Sequence, residues 1–241
     1  MLQLQDAARM TAKVLALIPA RGGSKGLHRK NIALVAGKPL FAWTIEAALK
    51  AQCITTALVS SDDDEILQVA REYGAEVIQR PAELATETSR SDAVVLHAVR
   101  TKEKMGQYYD YIILLQPTSP LRNSEDINNA YNQIVNADAT ALISVQVIDN
   151  KILKAFKKKE DGFLEGVSHN TYPFICRQDL PETYMSNGAI YIIKKDCFIR
   201  NESLLTDKTI SFLMNSKKSI DIDCQEDIEI ASKLLQMTNL Q

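Results

Sequence analysis

The chain has little to staple it or tie it to a membrane. Its four cysteines, Cys53, Cys176, Cys197 and Cys224, are scattered, with no CxxC spacing and no histidine pair beside them. That excludes the usual zinc sites and points to reduced thiols of a cytosolic protein. No apolar run nears the ~20 residues that span a bilayer. The opening MLQLQDAARMTAK lacks the apolar core of a secretory leader. Net charge is only −2, so no overall field draws the chain to nucleic acid or to an anionic membrane. His28, His97 and His169 show no triad spacing, and His97 falls mid-helix, where a core residue is expected. There is no internal repeat and no low-complexity tract. A soluble, cytoplasmic protein is expected, with residues 1–12 a loosely held, flexible extension. Any anion binding must come from local basic clusters.

What is present is ordinary globular material. The 241 residues are 46% hydrophobic and 24% charged, enough to bury a sizeable core in one α/β domain. Val14–Pro19 (VLALIP) reads as a buried strand feeding a loop. Further strands are expected at Ala57–Ser60, Glu76–Ile78, Tyr111–Gln116, Ala141–Val147, Ala189–Ile193 and Lys218–Ile222. Helices are expected over Pro39–Gln52, Asp62–Tyr73, Ser91–Met105, Ser124–Asn136 and Gln225–Met237. Their expected caps are Asp62 or Asp63, Ser91 or Asp92, and Ser124. The alternation predicts βαβ units and an α/β fold with a doubly wound, mostly parallel sheet. Residues 148–186 interrupt it. They are polar and carry KKKEDG at Lys157–Gly162, the expected tip of a hairpin, so they read as an arm inserted into a domain spanning 13–241. Lys157–Lys159 read as a solvated turn.

The loop after the first strand, Ala20–Asn31 (ARGGSKGLHRKN), has the chemistry of an anion cradle. Open α/β sheets bind ligands beyond their strand carboxyl ends. Gly22, Gly23 and Gly26 let backbone approach an anion. Arg21, Lys25 and Lys30 add charge, with His28 and Arg29 alongside. A dinucleotide fingerprint fails because Arg21 stands where GxGxxG needs glycine. A Walker A loop fails because Leu27, not lysine, follows Gly26. The plain alternative is a basic surface turn; the position after the first strand favours a polyphosphate.

Two other features carry chemistry. Gln116 ends a buried apolar strand, where an amide needs partners; it is either a satisfied core amide or a ligand contact. Asp221 and Asp223 are spaced i, i+2 on an expected strand, so both carboxylates share a face, with Ile220 and Ile222 opposite. Such a pair is either a solvent-facing strand edge or a seat for Mg²⁺. Arg80 precedes Pro81 in a loop after a strand, as an ordinary surface arginine or a reader of a base edge. Arg122 either faces a ligand or caps a neighbouring carboxylate.

IPARGGSKGLHRKN (Ile18–Asn31) closely resembles the signature loop of the CMP-sialic acid synthetases, the N-acylneuraminate cytidylyltransferases. RPAELA (Arg80–Ala85), LLQPTSPLR (Leu114–Arg122), SNGAIYI (Ser186–Ile192) and IDID (Ile220–Asp223) match the family in order. The resemblance runs from about Val14 to Leu235. The family also includes enzymes acting on legionaminic and pseudaminic acid. The resemblance implies a homodimeric α/β enzyme of the nucleotide-diphospho-sugar transferase type. It joins CTP to an acidic nine-carbon sugar and releases pyrophosphate, with Mg²⁺ or Mn²⁺ and an arm that reaches the partner subunit.

On matching positions, Arg21, Gly23, Ser24, Lys30 and Asn31 are implied CTP contacts. Arg21 and Lys30 are implied catalytic residues that neutralise phosphate charge as pyrophosphate leaves. Arg80 and Ser91 fall on cytosine and ribose contacts. Gln116, Asn187 and Arg177 (in RQDLP) fall on sugar-acid contacts, Arg177 from its own or the partner subunit. Asn187-Gly188 also favours a turn by itself. Asp221 and Asp223 are implied catalytic metal ligands, while Glu226 and Asp227 suit a helix start. No general base is evident, so metal activation of the sugar hydroxyl is the default. Rival readings are a cytidylyltransferase for a shorter sugar acid such as Kdo, whose opening loop differs, and a non-catalytic nucleotide-binding regulator. The intact loop cations and carboxylates speak against the regulator.

Overall fold

The computed structural model describes residues 12–23 and 26–238; most of the expected flexible extension, and Ser24 and Lys25, lie outside them. The chain begins with β1 (Val14–Pro19), then a small hairpin, β2 (Leu34–Val35) and β3 (Lys38–Pro39), and α1 (Leu40–Lys50). Next come β4 (Thr56–Ser61), α2 (Asp64–Glu72), β5 (Glu76–Gln79), α3 (Ser91–Lys104), β6 (Tyr111–Leu114), α4 (Ser124–Asn136) and β7 (Ala141–Ile148). The remainder holds β8 (Phe156–Lys158), β9 (Leu164–Gly166), β10 (Thr183–Lys194), α5 (Lys195–Asn201), β11 (Thr209–Leu213) and α6 (Gln225–Thr238).

Seven strands form the main sheet in the order β11-β7-β10-β6-β1-β4-β5. β1 pairs in parallel with both β4 and β6, and β4 with β5. Only β10 runs against its neighbours, β6 and β7. The sheet is therefore mostly parallel, as the alternation predicts. β1 lies where the winding reverses, with β4 on one side and β6 on the other, the place such sheets put a ligand.

The VLALIP run is buried because helices cover both faces. Val14, Ala16 and Ile18 pack with Phe41 and Ile45 of α1, Ile66 of α2 and Ile127 of α4. Leu15 and Leu17 pack on the other face with Val95 of α3 and Phe198 of α5. A third apolar cluster joins Ile228, Ala231 and Leu235 of α6 to Val35, Leu40 and Ile222. It ties the C-terminal helix to the start of the chain.

The caps divide. Asp63 caps α2, its carboxylate accepting from Glu65 and Ile66 N–H. For α4 the cap is Asn123 rather than Ser124, because Asn123 and Asp126 form a reciprocal capping box. Neither Ser91 nor Asp92 caps α3. Arg90 holds that position without a side-chain capping bond, its guanidinium pairing with Asp92 instead.

Two expectations near the carboxyl end are corrected. Lys218–Ile222 is no strand. The sheet edge belongs to β11, whose five residues pair with β7 from Thr209 against Ala141 to Leu213 against Val145. Ile210 and Phe212 alternate inward there, a period the sequence displays. The inserted segment is also shorter than 148–186, because β10 starts at Thr183 and pairs back onto Ile148. Between them β8 and β9 form the expected hairpin, closed at its tip by Lys159 N–H donating to the Phe163 carbonyl at 2.9 Å.

Candidate active site

Loops leaving β1, β5 and β6, with the extended segment through Asp221 and Asp223, enclose a cleft of about 600 Å³ at the carboxyl ends of the strands. The β1 loop is pinned from behind. Asn31 is 7% exposed, and its Nδ2 donates to the Arg21 carbonyl at 2.8 Å. Gly22 N–H donates to Asp62 Oδ1 at 3.1 Å. A Cβ on Gly26 would lie 2.7 Å from the Asp223 carbonyl oxygen, so the loop meets the acidic segment only because that residue is glycine. Arg29 turns away, with a positive φ of 52° and ion pairs to Asp63 at 3.1 Å and Glu65 at 2.8 Å.

Among the described residues, three cations reach the cleft. Arg21 Nη1 donates across to the Thr86 carbonyl at 2.8 Å. Lys30 Nζ donates to the Ile222 carbonyl at 2.7 Å and pairs with Asp223 Oδ1 at 3.0 Å. Arg80 is only 5% exposed and so is not an ordinary surface arginine. It is held by the Ser60 carbonyl, by Ser60 Oγ at 3.2 Å and by the Leu84 carbonyl at 3.5 Å. Burial pulls its pKa down to about 10, with Asp62 opposing and Arg21 reinforcing the shift.

The acidic wall follows the expected alternation without being a strand. Ile222 is fully buried, and its N–H donates to the Thr118 carbonyl at 2.9 Å. Asp221 and Asp223 on either side line the cleft. The Asp221 carboxyl is raised above the usual range, chiefly because protein crowds water from it. A Thr118 hydrogen bond and Lys30 pull it down, while Asp223 and Asp227 push it up. Among the described residues, no group of three or more His, Cys, Asp or Glu is placed to hold a metal. Two repelling carboxylates with one lysine to offset them fit a hard divalent cation that takes a few protein oxygens and fills its shell from phosphate and water. They do not fit an ion that needs a full protein cage.

Arg21, Lys30, Asn31, Arg80, Ser91 and Gln116 all line the cleft with the acidic pair. Ser91, exposed at the first turn of α3, stands at its wall. Gln116 lies two residues past β6. Gly23 sits on the exposed loop and is not part of the wall; Ser24 lies outside the described residues. Two expected sugar-acid residues are not brought in. Asn187 is 4% exposed, and its side chain is spent inside the fold. Its Oδ1 accepts from Ser144 Oγ at 2.6 Å and Ala189 N–H at 3.2 Å, while Nδ2 donates to Ser219 Oγ at 2.9 Å. These bonds replace ladder bonds lost at the β10 irregularity between Ser186 and Tyr191. Arg177 lies in the inserted segment, away from its own chain's cleft, paired with Asp149 at 3.4 Å. Thr86, Glu87, Ser89 and Thr118 also line the cleft. Only Thr118, in the rigid PTSP turn after Gln116, carried a signal that could have found it.

Comparison with known proteins bears on this cleft. The sequence pattern of a family described as Cytidylyltransferase matches residues 15–241. The chain is 33% identical over 234 residues to the N-acylneuraminate cytidylyltransferase of Escherichia coli O18:K1:H7, covering 96% of this chain and 54% of that protein. It is 37% identical over 228 residues to the CMP-N,N'-diacetyllegionaminic acid synthase of Legionella pneumophila, covering 93% of this chain and 97% of that one. The chain thus spans about half of the first relative and nearly all of the second. Among solved structures, CMP:2-keto-3-deoxy-manno-octonic acid synthetase complexed with CTP shares the fold, with a TM-score of 0.69 at 17% identity, covering 94% of this chain and 100% of that one.

Proposed function

Because the chain belongs to the cytidylyltransferase family, we propose that it joins CTP to a nonulosonic acid, N-acetylneuraminic acid or an analogue such as legionaminic acid, and releases pyrophosphate. One observation carries the reading. The cleft sets Arg21, Lys30 and Arg80 beside the carboxylates Asp221 and Asp223, with Gln116 in the same wall.

In this reading the anomeric hydroxyl of the sugar attacks the α-phosphorus of CTP. A new P–O bond forms in line with the one breaking to pyrophosphate, and the hydroxyl proton is lost to solvent. Such transfers depend on positioning and on charge stabilisation. Arg21 and Lys30 neutralise the departing pyrophosphate. Lys30 lies between Ile222 and Asp223 here, so an arriving triphosphate competes with Asp223 for its charge. Arg80 reads the cytosine edge, Ser91 holds the ribose, and Asn31 keeps the loop in register through Arg21. Asp221 and Asp223 would hold Mg²⁺, or Mn²⁺ in its place, which would supply Lewis-acid charge to the triphosphate. Gln116 contacts the sugar acid. Asn187 acts at one remove, since Ser219 links it to the segment that carries the two aspartates.

The protein works as a homodimer in the cytoplasm, where CTP is available. Phe163 and Phe174 stand exposed on the inserted segment, an apolar surface that a second copy would cover. Arg177 then serves the partner's cleft. Among the described residues, no helix is long and apolar enough to cross a membrane.

The test is pyrophosphate release over a panel of sialic, legionaminic and pseudaminic acids and Kdo, each with CTP and with other nucleoside triphosphates. Turnover of a nine-carbon acid with CTP is expected. Equal rates with ATP would overturn the cytosine assignment, and turnover of Kdo alone would overturn the nine-carbon one.

A further inference from the structure

Arg122 heads the largest side chains that are fully enclosed among the described residues, at 2% exposure. It neither faces the cleft nor meets a carboxylate, the two roles its sequence position suggests. Its Nη1 donates to the Gln116 carbonyl at 3.2 Å and the Ala189 carbonyl at 2.9 Å, and Nη2 to Thr44 Oγ1 at 2.5 Å. Its Nε has no partner among the described residues. Asp126 acts on it only through space, and that carboxylate is already bonded to Lys218 Nζ at 2.8 and 3.0 Å. Burial pulls the guanidinium down to about 9.

A buried cation held only by neutral oxygens is costly. Apolar side chains of similar volume commonly serve packing as well or better. The contacts indicate why a cation is kept. The Gln116 and Ala189 carbonyls belong to two neighbouring chain segments, at the end of β6 and in the irregular stretch of β10. Between them lies Gly188, at φ +74°, where a Cβ would come within 2.5 Å of Gln116 Oε1. Gln116 is thus held at its main chain by Arg122, while its amide lies close against the bare backbone of Gly188.

We propose that Arg122 is a positioning residue for the sugar-acid half of the cleft: its buried guanidinium fixes the Gln116 main chain and places behind it a positive charge that no bonded carboxylate cancels, favouring the carboxylate of an α-keto acid. The inference rests on the reading of Gln116 as the sugar-acid contact. Low dielectric lets such a charge act across the intervening peptide more strongly than a surface arginine does.

Steady-state kinetics on four variants test it. Arg122→Gln, which keeps a donor and drops the charge, is expected to raise KM for the sugar acid about tenfold, the scale of one charge-assisted contact, with KM for CTP within about twofold. Arg122→Lys, which keeps the charge, is expected to recover most of that loss. Thr44→Val, which removes the Nη2 acceptor, raises the same KM severalfold and carries the test if Arg122→Gln does not fold. Equal rises in both KM values, or a sugar-acid KM at wild type in all three, overturn the proposal. Gln116→Ala separates the two layers. A raised sugar-acid KM there with Arg122 variants at wild type overturns only the role of Arg122. An unchanged KM in Gln116→Ala overturns the reading of Gln116 and this inference with it.

Discussion

The cleft and the hairpin segment are both rich in lysine and arginine, and they hold them differently. In the segment, cations are answered by nearby carboxylates: Lys157 by Glu165 at 3.2 Å, Lys159 by Asp161 at 2.8 Å, Arg177 by Asp149 at 3.4 Å. In and behind the cleft, they are held by main-chain carbonyls: Arg21 by Thr86, Arg80 by Ser60 and Leu84, Arg122 by Gln116 and Ala189. A carbonyl fixes a cation in place without cancelling its charge. A carboxylate cancels it. The first arrangement keeps positive potential ready for a ligand, and the second produces a solvated surface. Lys30 stands between the two, shared by the Ile222 carbonyl and Asp223.

The contrast can be broken most sharply by removing the cleft cations. Arg21→Ala and Lys30→Ala are each expected to lower kcat/KM for CTP by about 10²–10³-fold, read as pyrophosphate release. A loss below threefold would sink their role. Next is Arg177, the one segment cation given a ligand role. Arg177→Ala is expected to raise KM for the sugar acid about tenfold, the scale of a bidentate contact, leaving CTP unaffected. Mixing it with the Lys30→Ala protein should restore activity, because one of the two clefts of a mixed dimer is then intact. No restoration would show that the segment does not serve its partner.

A smaller effect concerns the acidic wall. Asp221 has a raised pKa in the folded state, so its ionised form weakens the fold. That group's contribution is fully present at pH below its unfolded pKa and is lost as pH rises through the folded one. Asp221→Asn should therefore abolish activity yet raise the melting temperature at neutral pH. The gain should fade as pH drops towards the ordinary aspartate range of about 4. A lower melting temperature at pH 7 contradicts this account. The smallest effect is expected where charges are paired at the surface. Lys157→Ala and Lys159→Ala should leave kinetics unchanged and shift melting by no more than about 2 °C.

Where a local rule governed the outcome, the fold was legible. Short apolar runs located β1, β6 and β7, and the sequence narrowed the α2 cap to Asp62 or Asp63, of which the fold uses Asp63. The rule that misled was period without context. Lys218–Ile222 has the alternation of a strand, but the sheet edge it needed was taken by Thr209–Leu213. The alternation nonetheless brought both carboxylates to the cleft, because an extended segment points Asp221 and Asp223 the same way whether or not it pairs. Asn187 shows the opposite failure. A polar residue in a family motif reads as a ligand contact, and only the surrounding bonds to Ser144, Ala189 and Ser219 show that it mends a strand irregularity.

The sequence by itself determined the glycine-rich basic loop, the mostly parallel α/β alternation and the family, because those depend on residues near one another in the chain. The tertiary structure alone decided which cations keep their charge. Carbonyls that hold Arg80 and Arg122 come from residues 20 and 67 positions away, at Ser60 and Ala189. Folding brings such partners to a buried side chain, and no local pattern in the sequence encodes whether the partner will be an oxygen that neutralises the charge or one that only holds it.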